Sequence, residues 1–163
     1  MNDLPESVRP LFLEGGWQPG RQVSVSSEIP PRHSASSVLA EFAGLRIGRS
    51  GPGQECAASD IAFHELDQKN AIAGLWSELL QTKLIGVADV HNAHSELYVS
   101  TDGRWFKLSL IDDEMCYVGS SFSEAMERIL SGRRCRPMLR PGQQTITFYG
   151  EKIMSDDPRV YRY

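Results

Sequence analysis

His91-Asn-Ala-His94 has a spacing that would let two imidazoles share one helix face and hold a metal ion. The pair falls between two strand patterns, with no Glu or Cys nearby in a ligand arrangement, so a solvated loop is the expected reading. Asp112-Asp113-Glu114 is a second candidate, since neighbouring carboxylates can divide acid and base roles when burial separates their pKa values. These three also lie between strands and read as an exposed turn offering negative charge to a partner. Gly119-Ser-Ser121 leads into a helix, where backbone N–H groups can hold an anion. Ser121 is already explained as a cap, however, and Glu124 would repel the anion. No Gly-x-Ser-x-Gly elbow is present, and His33 and His64 stand alone. Cys56, Cys116 and Cys135 contain no Cys-x-x-Cys and read as reduced thiols, some of them in the core. None of these residues makes a catalytic set, and none calls for a cofactor or a metal.

The 163 residues suit one domain, and 40% hydrophobic with 23% charged residues is the composition of an ordinary globular chain. The net charge of −4 conceals an asymmetry. Residues 1–130 hold 18 acidic and 10 basic side chains, whereas residues 131–163 hold 3 and 7. An acidic body argues against direct nucleic-acid binding and suits a basic protein partner. The N-terminus lacks the basic and apolar regions of a secretory signal, and no apolar run nears the roughly 20 residues that span a bilayer. The expectation is a cytoplasmic protein without a membrane partner.

Four helices and a meander of strands must position these residues. Asp3-Leu-Pro-Glu6 reads as the start of the first helix, with Val8, Leu11 and Phe12 on its apolar face and Gly15-Gly16 as its stop. Trp17 then folds back onto it as a core anchor. A second helix begins near Ser34 or Ser36, carries Val38, Leu39, Phe42 and Leu45, and stops at Gly44. Leu45 and Ile47 begin a strand, and Cys56 to Phe63 returns as the next. Ile72, Leu75, Trp76, Leu79 and Leu80 mark the third helix. Strand patterns follow over Leu84–Val90, Glu96–Ser100, Arg104–Leu108 and Met115–Val118, with Asp102-Gly103 as a hairpin turn. Ser121 and Glu124 form a capping box for the fourth helix, which Gly132 ends and which should lie across the sheet. The arginine-rich segment beyond reads as a linker or arm, with Thr145–Tyr149 as an edge strand and a loose end unless docked.

Two runs near the start are built from turn formers and apolar anchors: Phe12-Leu-Glu-Gly-Gly16-Trp17-Gln-Pro19-Gly20-Arg21-Gln-Val23, and Leu39-Ala-Glu41-Phe42-Ala43-Gly44-Leu45-Arg-Ile47. The pattern resembles the SUKH superfamily, and within it the third SUKH subgroup of bacterial immunity proteins. The turn Ser50-Gly-Pro-Gly53 with Cys56, then Ile85-Gly86, Leu97-Tyr-Val99, Asp102-Gly103 and Ser123-Glu-Ala125 to Gly132, extend the likeness over residues 8–132. Ala43 departs from it, standing where the family usually has a second glycine.

The resemblance implies an α+β fold in a single domain, with a central, mostly antiparallel sheet and about four packed helices. It implies a SUKH-like immunity domain over 1–132; the basic C-terminal extension over 133–163, with its candidate edge strand, lies beyond the likeness and inherits nothing from it. The resemblance further implies a non-catalytic protein that neutralises a cognate polymorphic or contact-dependent toxin, a nuclease or deaminase, by covering its active or substrate-binding surface. Gly16, Trp17, Pro19, Gly20, Arg21, Glu41, Phe42, Gly44 and Leu45 would be the family's structural frame. The acidic connections Asp89, Glu96, Asp102, Asp112, Asp113 and Glu114 are the candidate contacts for a basic toxin. A regulatory or scaffold module that binds an endogenous protein is the alternative, and a small enzyme would require a perturbed carboxylate beside His91 or His94. The oligomeric state is left open.

Overall fold

The computed structural model describes residues 2–163. Four helices, α1 (Arg9–Glu14), α2 (Ser34–Phe42), α3 (Ala71–Leu79) and α4 (Phe122–Ser131), accompany a seven-stranded sheet. Its strands are β1 (Arg46–Ile47), β2 (Ile61–Phe63), β3 (Leu84–Val90), β4 (Ser95–Ser100), β5 (Trp105–Ser109), β6 (Met115–Gly119) and β7 (Arg136–Pro137). They pair in chain order, each antiparallel to the next, so the expected α+β architecture is observed. A separate ribbon joins β8 (Thr145–Phe148) to β9 (Glu151–Met154).

Side chains alternate across a strand, so β4 sends Leu97 and Val99 to one core and Tyr98 to another. On the first face, α1, α2 and α4 enclose Phe12, Phe42, Phe63 and Phe122. The Phe42 and Phe122 rings stack 4.8 Å apart, and Phe12 meets Phe42 edge-on at 5.3 Å. Burying each such ring contributes roughly 1.5–3 kcal/mol. On the second face, α3 places Ala73 and Trp76, and its C-cap Leu80, over Leu84, Tyr98, Phe106 and Leu108. Both faces of the sheet are therefore covered, which explains why β3 is apolar nearly throughout.

Three local expectations change. The first helix begins at Arg9, with Val8 as its cap and no side-chain hydrogen bond there. Pro10 supplies the reason: in a helix running from Pro5, its ring would clash with the carbonyl of Glu6 and the Glu6 carbonyl would lose its N–H donor. Pro5 instead accepts from the N–H groups of Val8 and Arg9 in a turn. Residues 56–60 form a loop rather than a strand, joined to the preceding turn by a single bridge between Gly51 and Ala58. Leu75 is turned outward on α3 and is 37% exposed.

The C-terminal segment is docked. β7 extends the sheet beside β6, and Tyr161 stacks on Tyr117 at 4.0 Å with the rings nearly parallel. Tyr163 lies edge-on to Trp76 and donates to the Leu139 carbonyl at 2.8 Å. Thr145–Phe148 is a strand, but it pairs within the ribbon, which has its own small core of Leu139, Ile146, Ile153 and Val160.

Candidate functional site

In a meander, successive turns alternate between the two ends of the sheet. The β3–β4 and β5–β6 connections therefore share one end, where the Leu110 N–H donates to the His94 carbonyl at 3.0 Å. Asp89 and Glu96 stand directly opposite each other near that end, on the face that α3 covers. Asp89 pairs with His64 Nε2 at 2.7 Å. Glu96 accepts from Tyr98 Oη at 2.5 Å and from Asn70, the cap of α3, at 3.2 Å. Burial, and then the neighbouring Glu96, Asp67 and Asp89, push the Tyr98 hydroxyl far above its ordinary pKa, so it stays a donor. Asp67 thus joins this acidic patch, a placement its loop position does not reveal.

The β5–β6 connection carries Asp112, Asp113 and Glu114, with the first two exposed as expected. Burial pushes the Glu114 carboxyl above its usual range; Asp112 and Asp113 add to this and Arg140 opposes it. Arg140 of the basic segment also donates to the Asp113 carbonyl at 3.2 Å. Directly before the acids, Ile111 is 79% exposed and Leu110 is 43% exposed. Sequence reasoning passes over this pair. The available signal is two large apolar residues placed after the strand alternation has ended and immediately before three acids.

Asp102 lies in the β4–β5 turn at the opposite end of the sheet, where it pairs with Arg104 at 2.9 Å and accepts from Ser100. The structure thus brings five of the six acidic candidates toward one end and separates Asp102 from them.

His91, Asn92 and Ala93 all have left-handed backbones, with φ of 55°, 51° and 63°. Such geometry costs on the order of 1 kcal/mol or more per residue and persists only where the surroundings impose it. Here Asp60 accepts from the Asn92 N–H at 3.0 Å, and Ser59 Oγ contacts His91 Nδ1 at 3.1 Å. Burial disfavours the charged form of Asp60, but bonds from Asn92 and Ser50, with Arg46 nearby, outweigh it and hold its pKa below the ordinary value. This is a perturbed carboxylate next to His91, yet it faces Ser50, Arg46 and the turn backbone instead of the imidazole. Among the described residues, no three His, Cys, Asp or Glu side chains are arranged to hold a metal ion. At the start of α4, Glu124 accepts from both Ser120 N–H and Ser120 Oγ, so the protein's own carboxylate occupies the anion position.

The two opening runs meet each other. Trp17 Nε1 donates to the buried Glu41 carboxylate at 3.2 Å, and Arg21 donates at 2.7 Å to each of the Glu41 and Ala43 carbonyls at the end of α2. Gly16, Gly20 and Gly44 all have positive φ, and the Gly44 N–H donates to the Phe63 carbonyl at 2.8 Å, tying this latch to the sheet. Phe42 is fully buried and Leu45 packs against the same core, whereas Pro19 is exposed in the intervening turn.

Among the described residues, no helix is long and apolar enough to cross a membrane. Comparison with curated proteins and with solved structures finds no match. A family model does match, from residue 4 to residue 132, and it covers the latch, the whole β1–β6 meander and α4. By that match the chain belongs to the SUKH-3 immunity protein family.

Proposed function

We propose that this protein binds a cognate bacterial toxin and blocks its active or substrate-binding surface, doing so without catalysis of its own. The observation that carries the reading is the family match across residues 4–132. Toxins that act on nucleic acid, such as nucleases and deaminases, need a basic substrate surface, and an acidic inhibitor face suits such a target. The sheet end holding the β3–β4 and β5–β6 turns is the surface we favour. Ile111 stands out there as an apolar anchor, with Asp112, Asp113 and Glu114 beside it as a charged rim. Anchors surrounded by polar rims dominate interface energy, while the charges accelerate encounter. The encounter would take place in the cytoplasm, where a nucleic-acid toxin acts.

Co-expression with its cognate toxin, followed by size-exclusion chromatography and calorimetry, tests this. The expected result is co-elution, with Ile111→Asp weakening the complex by about 2 kcal/mol, roughly 30-fold. Leu75→Asp, on the outer side of α3, should leave affinity unchanged. No complex with the unaltered protein would overturn the reading. Equal affinity for Ile111→Asp would remove this end of the sheet from the interface.

A further inference from the structure

Side chains alternate along β5, so Trp105, Lys107 and Ser109 belong to one face of the sheet. That face carries the first core, which includes Trp105, Leu97, Cys116 and Val118. Lys107 lies directly opposite Leu97 on β4 and Cys116 on β6, so a lysine stands in register where an apolar residue would continue the core. Beyond it, Ser109 is opposite the buried Ser95. The core gives way to this polar corner where α4 ends at Gly132. The Gly132 carbonyl accepts from the N–H groups of Glu55 and Cys56 at 2.8 and 2.9 Å, which fixes the loop before β2 as one wall. The β3–β4 turn supplies a second wall with His91 and His94, and the β8–β9 turn a third with Tyr149.

These walls enclose a cavity of about 240 Å³, and none of its lining side chains is a carboxylate. Lys107, Arg128 and Arg133 are its permanent cations. The two arginines have partners on α4, Glu124 at 3.0 Å and Glu127 at 3.2 Å, yet the Nε of each is buried with no acceptor among the described residues. Lys107 is half-buried and has no carboxylate within 4.0 Å among the described residues. Asp112 and Glu114 line the adjoining cavity that Lys107 shares, beyond that distance. A confined ammonium and two buried N–H groups with nothing to donate to require an acceptor that carries charge. Ser109 Oγ accepts from the Ile111 N–H at 3.4 Å, which leaves its own hydrogen as a further donor beside the lysine. Volume decides the size of the acceptor. At about 30 Å³ per water, the cavity has room for roughly eight, below the ~300–1,000 Å³ of pockets that hold drug-sized ligands. A compact oxyanion fits, whereas a larger organic ligand does not.

We propose that this cavity binds a compact tetrahedral oxyanion of the phosphate class. Lys107 supplies the unmatched positive charge from the sheet, with the Ser95 and Ser109 hydroxyls beside it. Arg128 and Arg133 offer their unpartnered Nε–H groups from the end of α4. These donors come from separate elements, so they suit an anion with oxygens in several directions, which phosphate has and a planar carboxylate lacks. Ile111 also lines the cavity, so the bound anion would lie beneath the loop assigned to toxin contact. The anion site does not depend on that assignment, since every donor belongs to the free chain.

Calorimetric titration of the full-length protein with inorganic phosphate, in chloride buffer of matched ionic strength, tests this. One phosphate should bind per chain, and phosphate at about 100 times its Kd should raise Tm by roughly 5–10 °C. Lys107→Met should weaken binding about 10- to 100-fold, the worth of one charge-assisted hydrogen bond. In chloride alone that variant should keep its Tm or gain, because a confined charge has been removed. Lys69→Met, on the exposed loop before α3, should bind phosphate like the unaltered chain. Should Lys107→Met fail to fold, Arg133→Gln leaves the sheet face intact and should weaken binding about tenfold. Absence of both heat and a Tm shift in the unaltered protein would overturn the proposal. So would undiminished phosphate affinity in Lys107→Met, or in Arg133→Gln where it stands in. A Tm gain that acetate reproduces at the same ionic strength would also overturn it, by reducing the effect to general screening of charge.

Discussion

A chain ended after Gly132 should lose its cooperative fold, although that point coincides with the end of the family match. The removed segment supplies β7, the fully buried Met138, the buried Cys135 and the Tyr161 ring stacked on Tyr117. Losing one buried methionine side chain costs roughly 2–5 kcal/mol, and whole domains are stable by only about 5–15 kcal/mol. The cut would also bare β6 as an unpaired edge and uncover part of the second core. Thermal unfolding followed by circular dichroism should show a broad, non-cooperative transition for residues 1–132 and a sharp one for the full chain. The basic segment is, on this account, part of the folded unit. A sharp transition for 1–132 within about 5 °C of the full chain would make it an appendage, since one such step corresponds to roughly 1–2 kcal/mol in a domain of this size.

Charge reversal of the β5–β6 loop should have the largest effect on toxin capture. Asp112→Lys, Asp113→Lys and Glu114→Lys together replace three negative charges with three positive ones beside Ile111. Steering by opposite charge changes association by factors of about 10 to 1,000 at low salt, so a slowing of about 100-fold is expected. Dissociation should change far less, and the difference should shrink as salt shortens the Debye length. Asp113 has a left-handed backbone with φ of 56°, which Asn tolerates better than Lys. Asp112→Asn, Asp113→Asn and Glu114→Gln therefore serve as a gentler set with a smaller effect in the same direction. Stopped-flow association with the toxin measures both sets, and an on-rate unchanged at low salt would place the steering charges elsewhere.

Much of the fold is visible in local patterns. The strands from Leu84 to Gly119 are short runs rich in apolar residues, divided by polar turn segments. For α4, the Ser121 cap and the Gly132 stop are both present, with φ of 69° at the glycine. Where local signals compete, the reading fails: Asp3 and Pro5 imitate a helix start, and Pro10 rules it out. Where long-range partners decide, no local signal exists. Tyr161 and Tyr163 look like a loose end until Tyr117 and Trp76 are known to receive them. His33 looks isolated, yet its Nδ1 caps α2 and its Nε2 meets the Lys83 carbonyl at 2.9 Å.

The candidate site divides in the same way. The acids of the β3–β4 and β5–β6 region are plain in the sequence, and so is the turn that carries Asp102. That Asp102 lies at the far end follows only from the order of the strands. The exposure of Ile111 depends on where β5 stops pairing.

Survival of cells is the most direct measure of the central claim. Cells induced for the cognate toxin should die alone and grow when this protein is co-expressed. The Ile111→Asp chain, expressed to the same level, should protect them less. Death of the cells despite abundant folded protein, or growth without it, would contradict the assignment of this chain as the toxin's inhibitor.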